Sequence, residues 1–226
     1  MAKKEVKYTK KCKECGTPAI KNSTKCTKCG AKLRTSKGMK RVNPVDANQV
    51  KLIRDSISAG RRGSRNEFLL LFLMNTALRI SDALQVKVGM VRDKEFLELI
   101  EQKTGKRKKF PLNKPLQQII NEYTKNMKDE QYLFQSQKLD ENGNPKPISR
   151  EQAWSILSDA ASEIGIKGFS NHSCRKTYAR LIYEKTGHDI EFVMRLLNHS
   201  SQAMTLHYLH LTEEKDNERI MDFSLF

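Results

Sequence analysis

The chain has 226 residues, forty-two of them Lys or Arg against twenty-six Asp or Glu, for a formal net charge of +16. That length has room for one sizeable core and one small appendage, and the charge is the footprint expected of a nucleic-acid binder, which a basic tail alone would also produce. The longest apolar run, Phe68 to Met74, is far short of the roughly 20 residues that cross a membrane, and no apolar segment follows the lysine-rich N-terminus to make a signal peptide, so a soluble, cytoplasmic protein is expected.

The charge is uneven. Residues 1–43 carry fourteen Lys or Arg and only Glu5 and Glu14, so most of the net charge lies there. The same stretch holds Cys12-x-x-Cys15 and, ten residues on, Cys26-x-x-Cys29. In a reducing compartment such pairs bind metal rather than form disulfides. Four thiolates on two tight turns, with Gly16 and Gly30 where each turn needs positive φ, suit zinc. A segment of about 30 residues buries too little surface to fold alone, so the metal would supply the folding free energy; whether the module touches DNA or protein stays open. Thr35 to Arg41 has linker composition. Residues 1–42 therefore read as a basic zinc-binding module with its linker, and residues 43–226 as a second domain.

In that domain Asp46 and Gln49 resemble a capping box ahead of Val50, Ile53 and Ile57 at helical spacing. Ser64 with Glu67 predicts a second box, opening a helix through Phe68–Met74 that is apolar on all sides and so buried centrally. Ile80 to Val88 reads as more helix. The period then changes: Glu95–Glu101 and Lys108–Leu112 read as strands of a hairpin turned at Thr104-Gly105. Leu116, Ile119, Ile120, Tyr123 and Met127 return to helical spacing, and Asp140–Pro147 reads as an exposed loop. Helices follow from Ser149 through Trp154, Leu157, Ala161 and Ile164, over about 171–186 with Gly187 closing, over about 189–197, and near 201–209 and 212–222. The expected fold class is mainly α with a small β-hairpin, an α+β domain behind a zinc-ribbon-like module.

Taken singly, the polar residues of this domain have plain structural readings, because histidines often cap or fill cores and tyrosines often pack. His172 and Arg175, at i and i+3, do share one helix face. Four motifs in order then carry a resemblance over residues 44–226. His172-Ser173-Cys174-Arg175-Lys176-Thr177-Tyr178-Ala179 resembles the His-x-x-Arg box of tyrosine recombinases, the phage integrase family. Leu196-Leu197-Asn198-His199 through Thr205-x-x-Tyr208 resembles their C-terminal box. Thr76-Ala77-Leu78-Arg79-Ile80-Ser81-Asp82-Ala83-Leu84 resembles their first arginine box, and Gln102-Lys103-Thr104-Gly105-Lys106-Arg107 with Pro111-Leu112 the strand pair that bears their catalytic lysine.

The resemblance implies a site-specific recombinase or integrase of mobile-element type that cleaves and rejoins duplex DNA through a 3′-phosphotyrosyl intermediate, with no catalytic cofactor. It implies Tyr208 as nucleophile, Arg79, Arg175 and His199 on the phosphate, His172 as proton acceptor, Lys103 as proton donor to the leaving oxygen, and Asp82 in support. Lys106, Lys108 and Lys109 compete with Lys103 as phosphate contacts. Expected partners are duplex DNA, further copies of the chain on DNA, and accessory DNA-bending proteins. Two rival readings share these residues: relaxation of DNA like a type IB topoisomerase, and a DNA-binding regulator derived from a recombinase. The sequence departs from the family at Asn198, where Gly is common, and at Cys174, where Leu is common. It also has the cysteine module where a helical core-binding domain ordinarily precedes the catalytic domain.

Overall fold

The computed structural model describes residues 8–12, 14–20, 25–31, 44–60, 63–209, 211 and 221. By internal contacts the chain falls into two units, Met1–Arg41 and Val42–Phe226. The expected linker Thr35–Arg41 lies outside the described residues, as does the helix expected over 212–222 except for Met221.

In the first unit β1 (Tyr8–Lys11) pairs antiparallel with β2 (Pro18–Ile20), Tyr8 opposite Ile20 and Lys11 opposite Pro18. Each cysteine pair then forms the same backbone knuckle. Gly16 N–H donates to the Cys12 carbonyl at 2.9 Å and Gly30 N–H to the Cys26 carbonyl at 3.0 Å. Both glycines have positive φ, 69° and 70°, where a side chain would be strained.

The second unit is built around one helix. α1 (Ala47–Ala59) opens on the expected capping box: Asp46 accepts from Gln49 N–H, and the Gln49 side chain accepts from Asp46 N–H. It buries Ile53 and Ile57. α2 (Gly63–Thr76) starts one residue before the expected cap, so Ser64 lies inside its first turn. The close approach to α1 fixes that start, because a Cβ on Gly63 would collide with the Ser58 backbone. As its all-round apolar sequence requires, α2 runs through the core: Phe68, Leu69, Leu70, Phe72 and Leu73 are all buried, and α1, α4 (Lys114–Thr124), α5 (Arg150–Glu163) and α6 (Asn171–Lys185) pack on it. Phe68 stacks on Tyr123 with ring centroids 4.0 Å apart and meets Phe134 with Phe72. Full burial of each such side chain is worth about 1.5–3 kcal/mol.

Elsewhere the structure corrects the sequence reading. The helix expected over Ile80–Val88 is only α3 (Ile80–Ala83). Beyond it the backbone turns away to bond residues 131–133, with Leu133 N–H donating to Val86 and Val88 N–H to Gln131. β3 (Phe96–Ile100) and β4 (Arg107–Pro111) form the expected hairpin. Its turn spans Gln102–Gly105 rather than Thr104-Gly105 alone, closed by Gly105 N–H donating to the Glu101 carbonyl at 2.8 Å. The supposed loop at 140–147 is half of a second hairpin, β5 (Gln135–Leu139) with β6 (Pro145–Pro147), turned by Asp140, whose carboxylate accepts from Asn142 and Asn144 N–H. α5 is capped by Ser149 as expected, but it buries Ala153, Leu157, Ala160 and Ala161 and leaves Trp154 half exposed.

α6, α7 (Ile190–Leu197) and α8 (Gln202–Leu209) close the domain around a second apolar cluster of Ala77, Ala179, Val193, Leu197 and Leu209. Among the described residues no helix is long and apolar enough to cross a membrane.

Candidate active site and cysteine cluster

α2 ends where Ala77 takes φ +47°, a left-handed conformation uncommon for a residue with a Cβ. That bend turns the chain so that Arg79 stands at the N-terminus of α3. The Ala77 carbonyl accepts from Nη1 of Arg175, which comes from α6, and Arg175 Nη2 donates to the Leu197 carbonyl at 2.7 Å. Arg175 is thus a buried guanidinium held at both prongs of its fork by main chain from two segments. Burial lowers its pKa, and the guanidinium stays cationic in any case.

Arg79 is held differently. Its Nη1 donates to Glu101 Oε1 at 2.8 Å, and the Glu101 side chain is only 1% exposed. Glu101 also accepts from the Thr104 hydroxyl at 2.7 Å and from the Asn198 amide at 2.6 Å. Burial alone would raise its pKa. Those two hydrogen bonds and the Arg79 charge outweigh it and hold the carboxyl below its ordinary value. Sequence reasoning missed Glu101. The signal was available: residues 97, 99 and 101 share one face of a strand, and Leu97 and Leu99 point that face inward.

Asp82, buried one turn after Arg79, accepts from Gln102 N–H at 2.9 Å through Oδ1, and its Oδ2 meets no hydrogen-bond partner among the described residues. Between Gln102 and Thr104 sits Lys103, exposed at the hairpin tip yet near enough for its charge to bear on both His172 and His199. Lys108 points inward from β4, where Nζ donates to the Leu196 carbonyl at 2.7 Å; burial and the Arg175 charge lower its pKa to about 8. It is a helix-end tie, which sets it apart from Lys103.

The C-terminal segment completes the group. Asn198 ends α7 in the left-handed region at φ +54°, which accounts for its standing where glycine is common. His199 follows, its Nδ1 3.1 Å from the Thr205 hydroxyl and its ring edge-on to that of Tyr208 at 5.3 Å. Burial, then the charges of Arg175, Arg79, Lys103 and Lys108, lower the His199 pKa to about 4, so the ring is neutral near pH 7. His172, in the first turn of α6, is shifted the same way by desolvation and the charges of Arg175 and Lys176. The Tyr208 hydroxyl is buried against the Arg175 guanidinium; burial pushes its pKa up to about 12, although the charge and hydrogen bonding of Arg175 pull it down. Lys176 Nζ lies 5.5 Å from the centre of the Tyr208 ring. The seven residues expected to form a site thus converge from four separate stretches of chain. The arrangement is strongly cationic, with the Tyr208 hydroxyl among its charges.

In the first unit, the thiols of Cys12, Cys15, Cys26 and Cys29 all lie within 4.8 Å of one another. Cys12 and Cys29 are 3.7 Å apart, Cys15 and Cys26 3.6 Å. A tetrahedral ion with metal–sulfur bonds of about 2.3 Å requires sulfurs about 3.8 Å apart. The donor set therefore fits one tetrahedral metal ion. Cys174, in the second unit, is fully buried in α6.

The fold has solved counterparts. The XerH site-specific recombinase bound to palindromic difH substrate, in a post-cleavage complex, matches with a TM-score of 0.62 at 19% identity over 78% of this chain and 51% of that one. The second unit thus shares the fold of that recombinase. The profile of the phage integrase family matches residues 43–215, and the chain belongs to that family. The probable integrase/recombinase YoeC of Bacillus subtilis is 41% identical over 153 residues, covering 68% of this chain and 81% of that protein. Tyrosine recombinase XerD of Corynebacterium glutamicum is 30% identical over 179 residues, 77% of this chain but 59% of that one.

Proposed function

We propose that this protein is a site-specific recombinase that breaks and rejoins duplex DNA through a covalent bond to Tyr208. The observation that carries the reading is the gathering of Arg79, Arg175 and His199 beside the buried Tyr208 hydroxyl. Cleavage builds negative charge on the non-bridging oxygens of a phosphodiester. Two fixed guanidiniums suit that charge, and neutral His199 can add an Nε2–H once its Nδ1 accepts from Thr205. In the step proposed, Tyr208 Oη bonds to phosphorus as the bond to the 5′-oxygen breaks. The phenolic proton passes to His172 and the leaving oxygen takes a proton from Lys103. The phosphotyrosyl bond keeps the energy for rejoining. Exchange requires two cleaved strands to be held at once, each on its own tyrosine, so self-association on DNA belongs to the proposal.

The test is to incubate the protein with a pool of nicked duplexes, denature, and recover covalent protein–DNA adducts. Mass spectrometry should place the bond on the peptide containing Tyr208, and sequencing the attached DNA gives the site. Recovery of no adduct from wild-type protein would sink the proposal.

For the first unit, the proposal is a zinc ion on Cys12, Cys15, Cys26 and Cys29, in a basic module that precedes the catalytic domain. Support comes from the thiol spacings and the two matching knuckles. Elemental analysis of protein purified without added metal should find one zinc per chain. Chelation should abolish amide protection over residues 12–31 and leave residues 44–209 protected. Protection that survives complete metal removal would show that the module folds without it.

A further inference from the structure

Two buried carboxylates hold the loop that carries Lys103, one on each side of it. Asp82 takes Gln102 N–H, and Glu101 takes the Thr104 hydroxyl. Glu101 goes further, since the same carboxylate receives Arg79 and, from the far end of α7, the Asn198 amide. Asn198 immediately precedes His199. Three parts of the site therefore meet on one side chain: the phosphate-facing arginine, the lysine loop and the turn into the His199–Tyr208 segment.

A counterion for Arg79 needs only the ion pair. The bonds from Thr104 and Asn198 come from neutral donors on two different segments and add nothing to charge balance, but they do fix those segments relative to each other. A buried carboxylate beside two phosphate-binding guanidiniums also opposes the arrival of a phosphate by like-charge repulsion. Its place in the site is accordingly at odds with a role in binding and consistent with one in geometry.

We infer that Glu101 is a positioning residue for cleavage, which sets Lys103 against the leaving oxygen by holding Thr104 and registers that loop to the His199 turn by holding Asn198. The inference rests on the reading of Lys103 as the proton donor. It separates binding from rate in a way that structural damage would not. Glu101→Gln keeps the shape and removes the charge, so DNA affinity should hold or rise while cleavage slows.

The experiment uses full-length protein and a nicked duplex bearing the site recovered from the adducts, made with either oxygen or sulfur at the 5′-bridging position. Sulfur leaves as a thiolate and needs no proton. Thr104→Val exchanges the hydroxyl for a methyl on an exposed loop residue, losing the bond to Glu101 and a long one from Lys106 N–H within the same loop, so the fold is not at risk. It should slow cleavage of the oxygen substrate by roughly tenfold to a hundredfold, the scale of a misplaced catalytic group, and the sulfur substrate should restore the rate. Thr104→Ser, which keeps the hydroxyl, should recover oxygen cleavage. Asn198→Gly suits the backbone at φ +54° and deletes the other arm, so it should slow cleavage with its melting temperature unchanged. Lys103→Ala is the reference. If it is rescued by sulfur and Thr104→Val is equally slow on both substrates or not slow at all, Glu101 does not act through the loop and the inference fails alone. If Lys103→Ala is itself not rescued, the proton-donor assignment falls and takes the inference with it. Weaker DNA binding by Glu101→Gln would also overturn it.

Discussion

Tyr208→Phe is expected to bind DNA as the wild type does and to form no covalent adduct. The substitution deletes one oxygen and leaves the ring, so the edge-on contact with His199 and the Lys176 contact on the ring both persist. The lost hydroxyl lies buried against the Arg175 guanidinium, so its removal should cost no more than one hydrogen bond to a charged group, about 1.5–3 kcal/mol. With no other oxygen in line, cleavage should fall below detection. Tyr178 and Tyr183 should be dispensable for cleavage. Denaturing gels of mutant and wild type with a nicked duplex read the result, and an adduct in Tyr208→Phe would put the nucleophile elsewhere.

Arg175→Lys should harm both chemistry and folding, because one guanidinium serves both. An ammonium cannot copy the planar fork, so the Ala77 carbonyl, the Leu197 carbonyl or both lose their donor. Each orphaned buried acceptor costs about 1–3 kcal/mol. On the proposed mechanism Arg175 faces the developing phosphate charge, so its loss should slow cleavage by about 10²–10³-fold. Urea denaturation and single-turnover cleavage measure the two effects. The Arg79→Lys variant is the contrast: Arg79 meets a side chain rather than the main chain, so its loss should cost rate with a smaller change in stability. Wild-type stability in Arg175→Lys would contradict the main-chain clamp.

How much of this was legible in the sequence depended on whether the signal was local. α1, α6 and α7 announce themselves by caps and periodicity, and α2 by an apolar run that can only be central. The four thiols are legible because two short spacings confine them. The β5–β6 hairpin was not, since Pro145, Pro147, Gly143 and Asp140 are turn formers, the polar Gln135–Leu139 lacks apolar alternation, and only its pairing marks it as a strand. The same holds for the early end of α3, where the backbone finds partners at residues 131–133. Within the site, the motif residues have plain readings one by one and stand out only through four family-like motifs in order. Glu101 does not, because an acidic residue at a strand end reads as solvated until Arg79, Thr104 and Asn198 are seen to surround it. Asn198 read as a departure, and the structure gives it a use that glycine could not serve, a side-chain donor in a left-handed turn.

The bend at Ala77 restricts what evolution can write there. Left-handed backbone at a residue with a Cβ costs about 1–2 kcal/mol, and the Arg175 guanidinium on the Ala77 carbonyl offsets it. A branched or bulky residue is excluded twice, by φ and by a pocket that leaves Ala77 1% exposed. Glycine would take the torsion without strain. Position 77 therefore has an alphabet of nearly two letters, alanine and glycine, and a saturation library would find it almost as intolerant as a catalytic residue although it has no chemistry of its own.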